Sequence, residues 1–197
     1  MKNTQKNKTL FALTETAMMA ALSIGIFLIS DFIPWPSFLQ GGSVTLFGQV
    51  PIIILSYRRG VKYGLCGGFI LAVFELIMGL SNFSYVKTLL AYAVVALFDY
   101  IIPFTCLGLG GYLRKTKLND KLSVLLGSLT VCAIRFMCHF FSGFTVWRDY
   151  TKSLWGSIAY SFTYNLSYML PETVITVIGA FAVISFIHLK KGEGKAE

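Results

Sequence analysis

Six apolar runs, separated by short segments that hold nearly all of the basic residues, restrict this chain to an environment in which helices are buried in lipid. A stretch of about 20 predominantly apolar residues is what an α-helix needs to cross the hydrocarbon core of a bilayer. Inside that core every backbone N–H and C=O must be satisfied within the chain, which leaves helices or a closed barrel. Runs of this length and continuity select helices. The spans read from the sequence are Leu10–Ile33, Val44–Ser56, Tyr63–Leu80, Val86–Gly111, Leu122–Phe141 and Ile158–Leu189. The second is too short to cross upright and Pro51 interrupts it, so a tilted or partly re-entrant segment is expected there. The last is long and contains Pro171, which predicts a kink or strong tilt. The expected fold is therefore an all-α integral membrane protein of six transmembrane helices. It forms a single domain over residues 1–197, with tails at 1–9 and 190–197.

Composition agrees. The chain has 197 residues, 55% of them hydrophobic and only 13% charged, with a mean hydropathy of +0.68. The net charge of +8 does not indicate a nucleic-acid surface, because the basic residues punctuate apolar runs and form no patch on a folded face. They act instead as topology signals. The tails and the two loops on their side hold 13 Lys and Arg, against 3 in the opposite loops (Lys87, Arg148 and Lys152), which places both termini in the cytoplasm. The basic tail before the first run resembles a secretory signal, but Glu15 lies within that run and no small-residue cleavage site follows, so it reads as a span. Cys66, Cys106, Cys132 and Cys138 sit in apolar stretches without CxxC spacing, which predicts free, buried thiols and neither disulfides nor a metal site.

Polar groups inside such spans are costly, several kcal/mol for an unpartnered group in hydrocarbon on the order given by transfer data, and mark function when they cluster. His139, Trp147, Tyr160, Tyr164, Asn165, Tyr168 and Glu172 crowd the end of the fifth run and the start of the sixth. With cytoplasmic termini, His139, Trp147, Tyr160, Tyr164 and Asn165 share the external half, Glu75 falls toward the external end of the third span, and Asp99 and Tyr100 fall near the middle of the fourth. Tyr160 and Tyr164 are one helical turn apart and Asn165 is about 100° round from Tyr164, so the three can line one wall of a cavity. Arg135 is the single basic residue left inside a span, and an Asp99–Arg135 pair is the plain structural alternative for Asp99.

The sequence also excludes chemistry. It has no GxxxxGK[ST], HExxH or GxSxG, so it hydrolyses no ATP by a P-loop and is not read as a metal or serine hydrolase; no enzyme activity and no cofactor are expected. Two small-residue strips remain: Gly60, Gly64 and Gly68 on the third span, and Ala17 and Ala21 on the first. Packing within the bundle and docking of another membrane subunit are the two readings of each.

Several elements, in order along most of the chain, carry a family resemblance: Gln40-Gly41-Gly42-Ser43-Val44, Tyr57-Arg58-Arg59-Gly60-Val61-Lys62-Tyr63-Gly64, Asp99-Tyr100, His139 with Ser142-Gly143 and Trp147, and Tyr160 to Asn165 through Tyr168-Met169-Leu170-Pro171. The chain resembles the thiamin-specific S component of energy-coupling factor transporters, the ThiT family. The resemblance implies a plasma-membrane subunit that captures thiamin from outside and delivers it inward only with a transmembrane coupling protein and two cytoplasmic ATPases. By position it assigns ligand contacts to Asp99, Tyr100, His139, Trp147, Tyr160 and Asn165, with Tyr164 beside them, and partner docking to Ala17 and Ala21. The acidic position is often Glu in the family and is Asp99 here, one methylene shorter. The family's first-loop Trp aligns near Gly41-Gly42, whereas Trp35 and Phe38 precede it, so Trp35 stands at the margin of the site. Thiamin joins a cationic thiazolium to a flat aminopyrimidine, which suits an aromatic face, a carboxylate and directional amide and phenol groups. An S component for another flat vitamin, riboflavin or biotin, or for a thiamin precursor would share this architecture. An intramembrane enzyme built on Asp99, His139 and Glu172 would require those three side chains to converge.

Overall fold

The computed structural model describes residues 2–33, 42, 44–148 and 153–186, with side chains from Asn7 onward. The described residues are helical throughout their regular structure. Among the described residues the α-helices are α1 Lys2–Asp31, α2 Val50–Arg59, α3 Val61–Met78, α4 Leu89–Val95, α5 Ile102–Thr105, α6 Asp120–Thr145 and α7 Leu154–Phe186. A 3-10 segment, Gly79–Tyr85, extends α3, while a π-helical turn, Ala96–Ile101, joins α4 to α5 and a second 3-10 segment, Cys106–Leu109, continues them. Five stretches among the described residues are long and apolar enough to cross a membrane: 7–31, 61–85, 89–109, 120–145 and 154–186.

The second expected span departs from this. Residues 44–49 are irregular, and α2 has only 10 residues, about 15 Å of helix and half a bilayer core. Its residues Val50–Tyr57 are all buried, so it is a central post surrounded by the other helices. That explains its unbroken apolar run, since a helix buried on every side needs no amphipathic period. Pro51 does not interrupt this helix. It occupies the first turn, where the missing N–H has no intrahelical partner to lose. The sixth run forms one 33-residue helix with Pro171 inside it, and α1 reaches back through the basic residues to Lys2.

The glycine strip resolves toward internal packing. A methyl group on Gly64 would lie 2.6 Å from the carbonyl oxygen of Gly108, and one on Gly68 would lie 2.7 Å from that of Thr105, so α3 meets the 105–108 backbone with no room for a side chain. Ser56 locks the same junction by donating to the Gly108 carbonyl and accepting from Gly111 N–H at 2.9 Å. Gly60 takes φ of 101°, which turns the chain from α2 into α3 within one residue. Nearby, Glu15 of α1 is paired with Arg58 and Arg59 at 2.5 and 2.6 Å, which accounts for a carboxylate in the first apolar run. The four cysteines are free; Cys132 and Cys138 are buried, but Cys66 is exposed on the helix surface, contrary to expectation.

On α1, Ala12, Thr16, Ala20, Ser23, Phe27 and Ser30 form the buried stripe. Ala17 and Ala21 lie on the outward face, both exposed, beside Leu10, Leu13, Met18 and Leu22.

Candidate functional site

Residues at the end of the bundle away from Glu15, Arg58 and Arg59 enclose a cavity of about 720 Å³. It reaches from Trp147 and Tyr160 to Phe27, Phe104 and Arg135. All of Asp99, Tyr100, His139, Trp147, Tyr160, Tyr164 and Asn165 line it, so the residues singled out in the sequence converge on one space. Trp35 and Gly41 lie outside the described residues.

The π turn explains how two consecutive residues serve the same cavity. An α-helix separates neighbours by about 100°, whereas an inserted residue widens the turn and redirects side chains, a device concentrated at functional sites. Asp99 and Tyr100 both sit on it. Tyr100 hydroxyl accepts from Asn82 Nδ2 at 2.9 Å and approaches the Gly79 carbonyl at 3.4 Å, tying the π turn to the 3-10 end of α3. Gly79 is required there, since any Cβ would overlap the Tyr100 ring.

Asp99 is a hub. Its Oδ2 accepts from Ser142 Oγ at 2.8 Å and from Trp147 Nε1 at 2.8 Å, and its Oδ1 stands 3.4 Å from His139 Nδ1. The carboxylate thereby fixes the indole and the imidazole from one point. The anticipated alternative, an Asp99–Arg135 pair, does not form. Arg135 instead lies 3.6 Å from Glu172 through Nη1, with its guanidinium 4.7 Å over the ring of Phe104.

The opposite wall is a tyrosine ladder on α7. Tyr160 and Tyr164 stack with centroids 6.1 Å apart and planes 11° from parallel; Tyr164 and Tyr168 follow at 5.4 Å. Asn165 is buried behind them, donating to Ser161 carbonyl at 2.8 Å and accepting from Tyr168 hydroxyl at 2.6 Å. Tyr164 hydroxyl also accepts from Gly42 N–H at 2.8 Å, seating Gly42 on this wall. A side chain at Gly42 would strike the Tyr168 ring, at 2.6 Å, so glycine permits the approach.

Glu172 does not join the cavity. It is 2% exposed and accepts from Thr45 N–H at 2.6 Å, from Thr45 Oγ1 and from Gln49 Nε2, fastening the irregular 44–49 segment to α7. Ser30 Oγ accepts from Leu46 N–H at 2.9 Å and Ser23 Oγ donates to the Gly48 carbonyl. These anchors hold Phe47 at φ of 60°, a conformation disfavoured for a bulky side chain. The grouping of Asp99, His139 and Glu172 that an intramembrane enzyme would need is therefore not assembled.

Among the lining residues not assigned to the site from the sequence are Glu75, Asn82, Arg135 and Tyr168, although Tyr168 was grouped with the polar cluster and Glu75 placed toward the external end of its span. Glu75 and Arg135 carried a signal, each being an ionisable residue within a span. Asn82 carried none, because its role depends on the 3-10 turn that brings it to Tyr100. No group of three metal-ligating side chains occurs among the described residues.

Comparison with known proteins agrees with the fold. A solved structure of ThiT from Listeria monocytogenes superposes with a TM-score of 0.68 over 92% of this chain and 97% of that one, at 19% identity, which establishes a shared fold. The thiamine transporter ThiT of Bacillus subtilis (strain 168) is 30% identical over 183 residues, covering 88% of this chain and 90% of that protein. The thiamine transporter ThiT of Lacticaseibacillus paracasei is 24% identical over 184 residues, covering 88% and 87%. The family profile of the thiamine transporter proteins (Thia_YuaJ) matches residues 13–191, nearly the whole chain, and this protein belongs to that family of transporters.

Proposed function

We propose that this chain is the thiamin-capturing S component of an energy-coupling factor importer in the plasma membrane. The observation that carries the reading is the Asp99 hub: one carboxylate holding an indole and an imidazole on the wall of a cavity faced by stacked tyrosines. A thiazolium over the Trp147 ring gains a cation–π contact of roughly 0.5–2 kcal/mol, and the adjacent carboxylate adds Coulomb attraction. The flat aminopyrimidine fits against Tyr160 and Tyr164, with His139 and Tyr100 completing the enclosure and Asn165 supporting the tyrosine wall from behind. Riboflavin and biotin lack the permanent cation that this arrangement favours.

The cavity opens toward the outside when both termini are cytoplasmic, the orientation that the 13 to 3 division of basic residues supports. In that orientation α2, inside the bundle, ends at the inner basic residues Arg58 and Arg59. The exposed Ala17 and Ala21 leave a shallow, smooth surface on α1 for the coupling protein, with Gly25 one turn further on, where a Cβ would meet nothing within 4 Å. Energy comes from two ATPase subunits of the assembly; this chain contributes binding and reorientation and needs no cofactor.

Intrinsic tryptophan fluorescence of the detergent-purified chain, titrated with thiamin and with riboflavin and biotin as controls, tests the substrate. Saturable quenching by thiamin alone is expected. A response to riboflavin or biotin but not thiamin would replace the substrate, and accumulation of thiamin against a gradient by vesicles containing only this chain would refute the division of labour with ATPase partners.

A further inference from the structure

The polar groups around the cavity divide into those already committed within the protein and those left for a ligand. Asp99 belongs to the first class, its Oδ2 taken by Ser142 and Trp147 and its Oδ1 facing His139. Asn165 belongs there too, with its amide engaged by Ser161 and Tyr168. Glu75 belongs to the second. It lines the same cavity from α3, yet it makes no hydrogen bond and no ion pair within 4 Å among the described residues. Arg135, the cation that acts on it electrostatically, is turned toward Glu172 and Phe104.

A carboxylate on the wall of an intramembrane cavity is stable there when a donor reaches it, and a donor held by a charged acceptor contributes more than a neutral pair. Thiamin offers few such donors. Its thiazolium carries charge but no N–H, so its N–H donors are those of the exocyclic amino group on the pyrimidine. We infer that Glu75 is the acceptor for that amino group, and that the two carboxylates divide the work: Asp99 positions Trp147 and His139 and attracts the thiazolium charge, while Glu75 contacts the amino group and sets the specificity for it. This assignment rests on the thiamin reading above. It also gives Glu75, a residue outside the motifs, a direct role that no hydrogen bond among the described residues competes for.

The test is calorimetric binding of thiamin and of oxythiamin, in which an oxo group replaces the exocyclic amine, to the full-length chain and to Glu75→Gln. The unmodified chain should prefer thiamin. The variant should lose roughly 10- to 150-fold in thiamin affinity, the range for a hydrogen bond to a charged group. Because its amide can donate to the oxo group, its affinity for oxythiamin should fall far less, so the gap between the ligands narrows by at least about tenfold. Glu75→Asp, which keeps the charge, should bind thiamin less tightly yet keep the preference, and it serves if the Gln variant does not fold. Unchanged thiamin binding by Glu75→Gln, equal losses for both ligands, or loss of the preference in Glu75→Asp would overturn the assignment while leaving the thiamin reading intact. Absence of thiamin binding by the unmodified chain would overturn both.

Discussion

Replacing Asp99 by Asn separates the charge of the hub from its geometry. The Asn carbonyl oxygen can take the place of Oδ2, accepting from Ser142 and Trp147 as the carboxylate does at 2.8 Å from each. The amide then faces His139 Nδ1, now 3.4 Å from Oδ1, and the imidazole accommodates it by presenting an unprotonated Nδ1. The indole therefore stays in place while the negative charge disappears. A thiazolium centred over the Trp147 ring lies about 6 Å from the carboxylate, and at an effective dielectric of about 20 that attraction is worth about 3 kcal/mol. The expected result is about a 100-fold weaker thiamin affinity. The assay is calorimetric titration with thiamin and with 3-deazathiamin, whose central ring is neutral. Only thiamin should lose the full amount. A loss of less than about threefold for thiamin, against the Coulomb estimate, would refute the charge argument. Equal weakening of both ligands would instead show that Asn disturbs the indole, contrary to the hydrogen-bond geometry.

Glu172→Ala should destabilise the fold by about 3–5 kcal/mol, because it strands the buried Arg135 guanidinium and removes the acceptor for Thr45 and Gln49; thermal unfolding in detergent, compared with Glu172→Gln, measures this, and an unchanged Tm would contradict the network. Tyr164→Phe removes the bond to Gly42 N–H and should speed thiamin dissociation by about 2- to 10-fold, the kinetic equivalent of one ordinary hydrogen bond, as read by stopped-flow fluorescence. Joint Ala17→Leu and Ala21→Leu substitutions should leave thiamin binding unchanged and abolish uptake by cells expressing the complete importer, since both positions face outward, away from the cavity; impaired binding by the isolated variant would place these residues in the core.

The sequence by itself determined the solvent, the class of fold and a large polar and aromatic part of the cavity wall. Length and apolarity of the runs require helices in a bilayer, and this follows from the cost of unsatisfied backbone in hydrocarbon without reference to packing. His139, Trp147, Tyr160, Tyr164 and Asn165 were legible as a group for the same reason, because polar and amphipathic side chains within apolar runs stand out against their background. Tertiary structure decided what each of them does. Whether Val44–Ser56 crosses the membrane or fills its centre turns on which neighbours surround it, and an all-apolar segment reads alike in lipid and in a protein core. Whether Asp99 pairs with Arg135 or with Trp147 and His139 depends on the π turn, which local composition does not announce. Glu172 was visible as an ionisable residue but belongs to a structural clasp, while Glu75, equally visible, faces the cavity. Both are carboxylates in apolar helices, and the approach of Thr45, Gln49 and Arg135 to one, with no hydrogen-bond or ion-pair partner reaching the other among the described residues, distinguishes them. Contacts between residues from about 40 to more than 120 positions apart set these roles, and such contacts are fixed by how the helices pack.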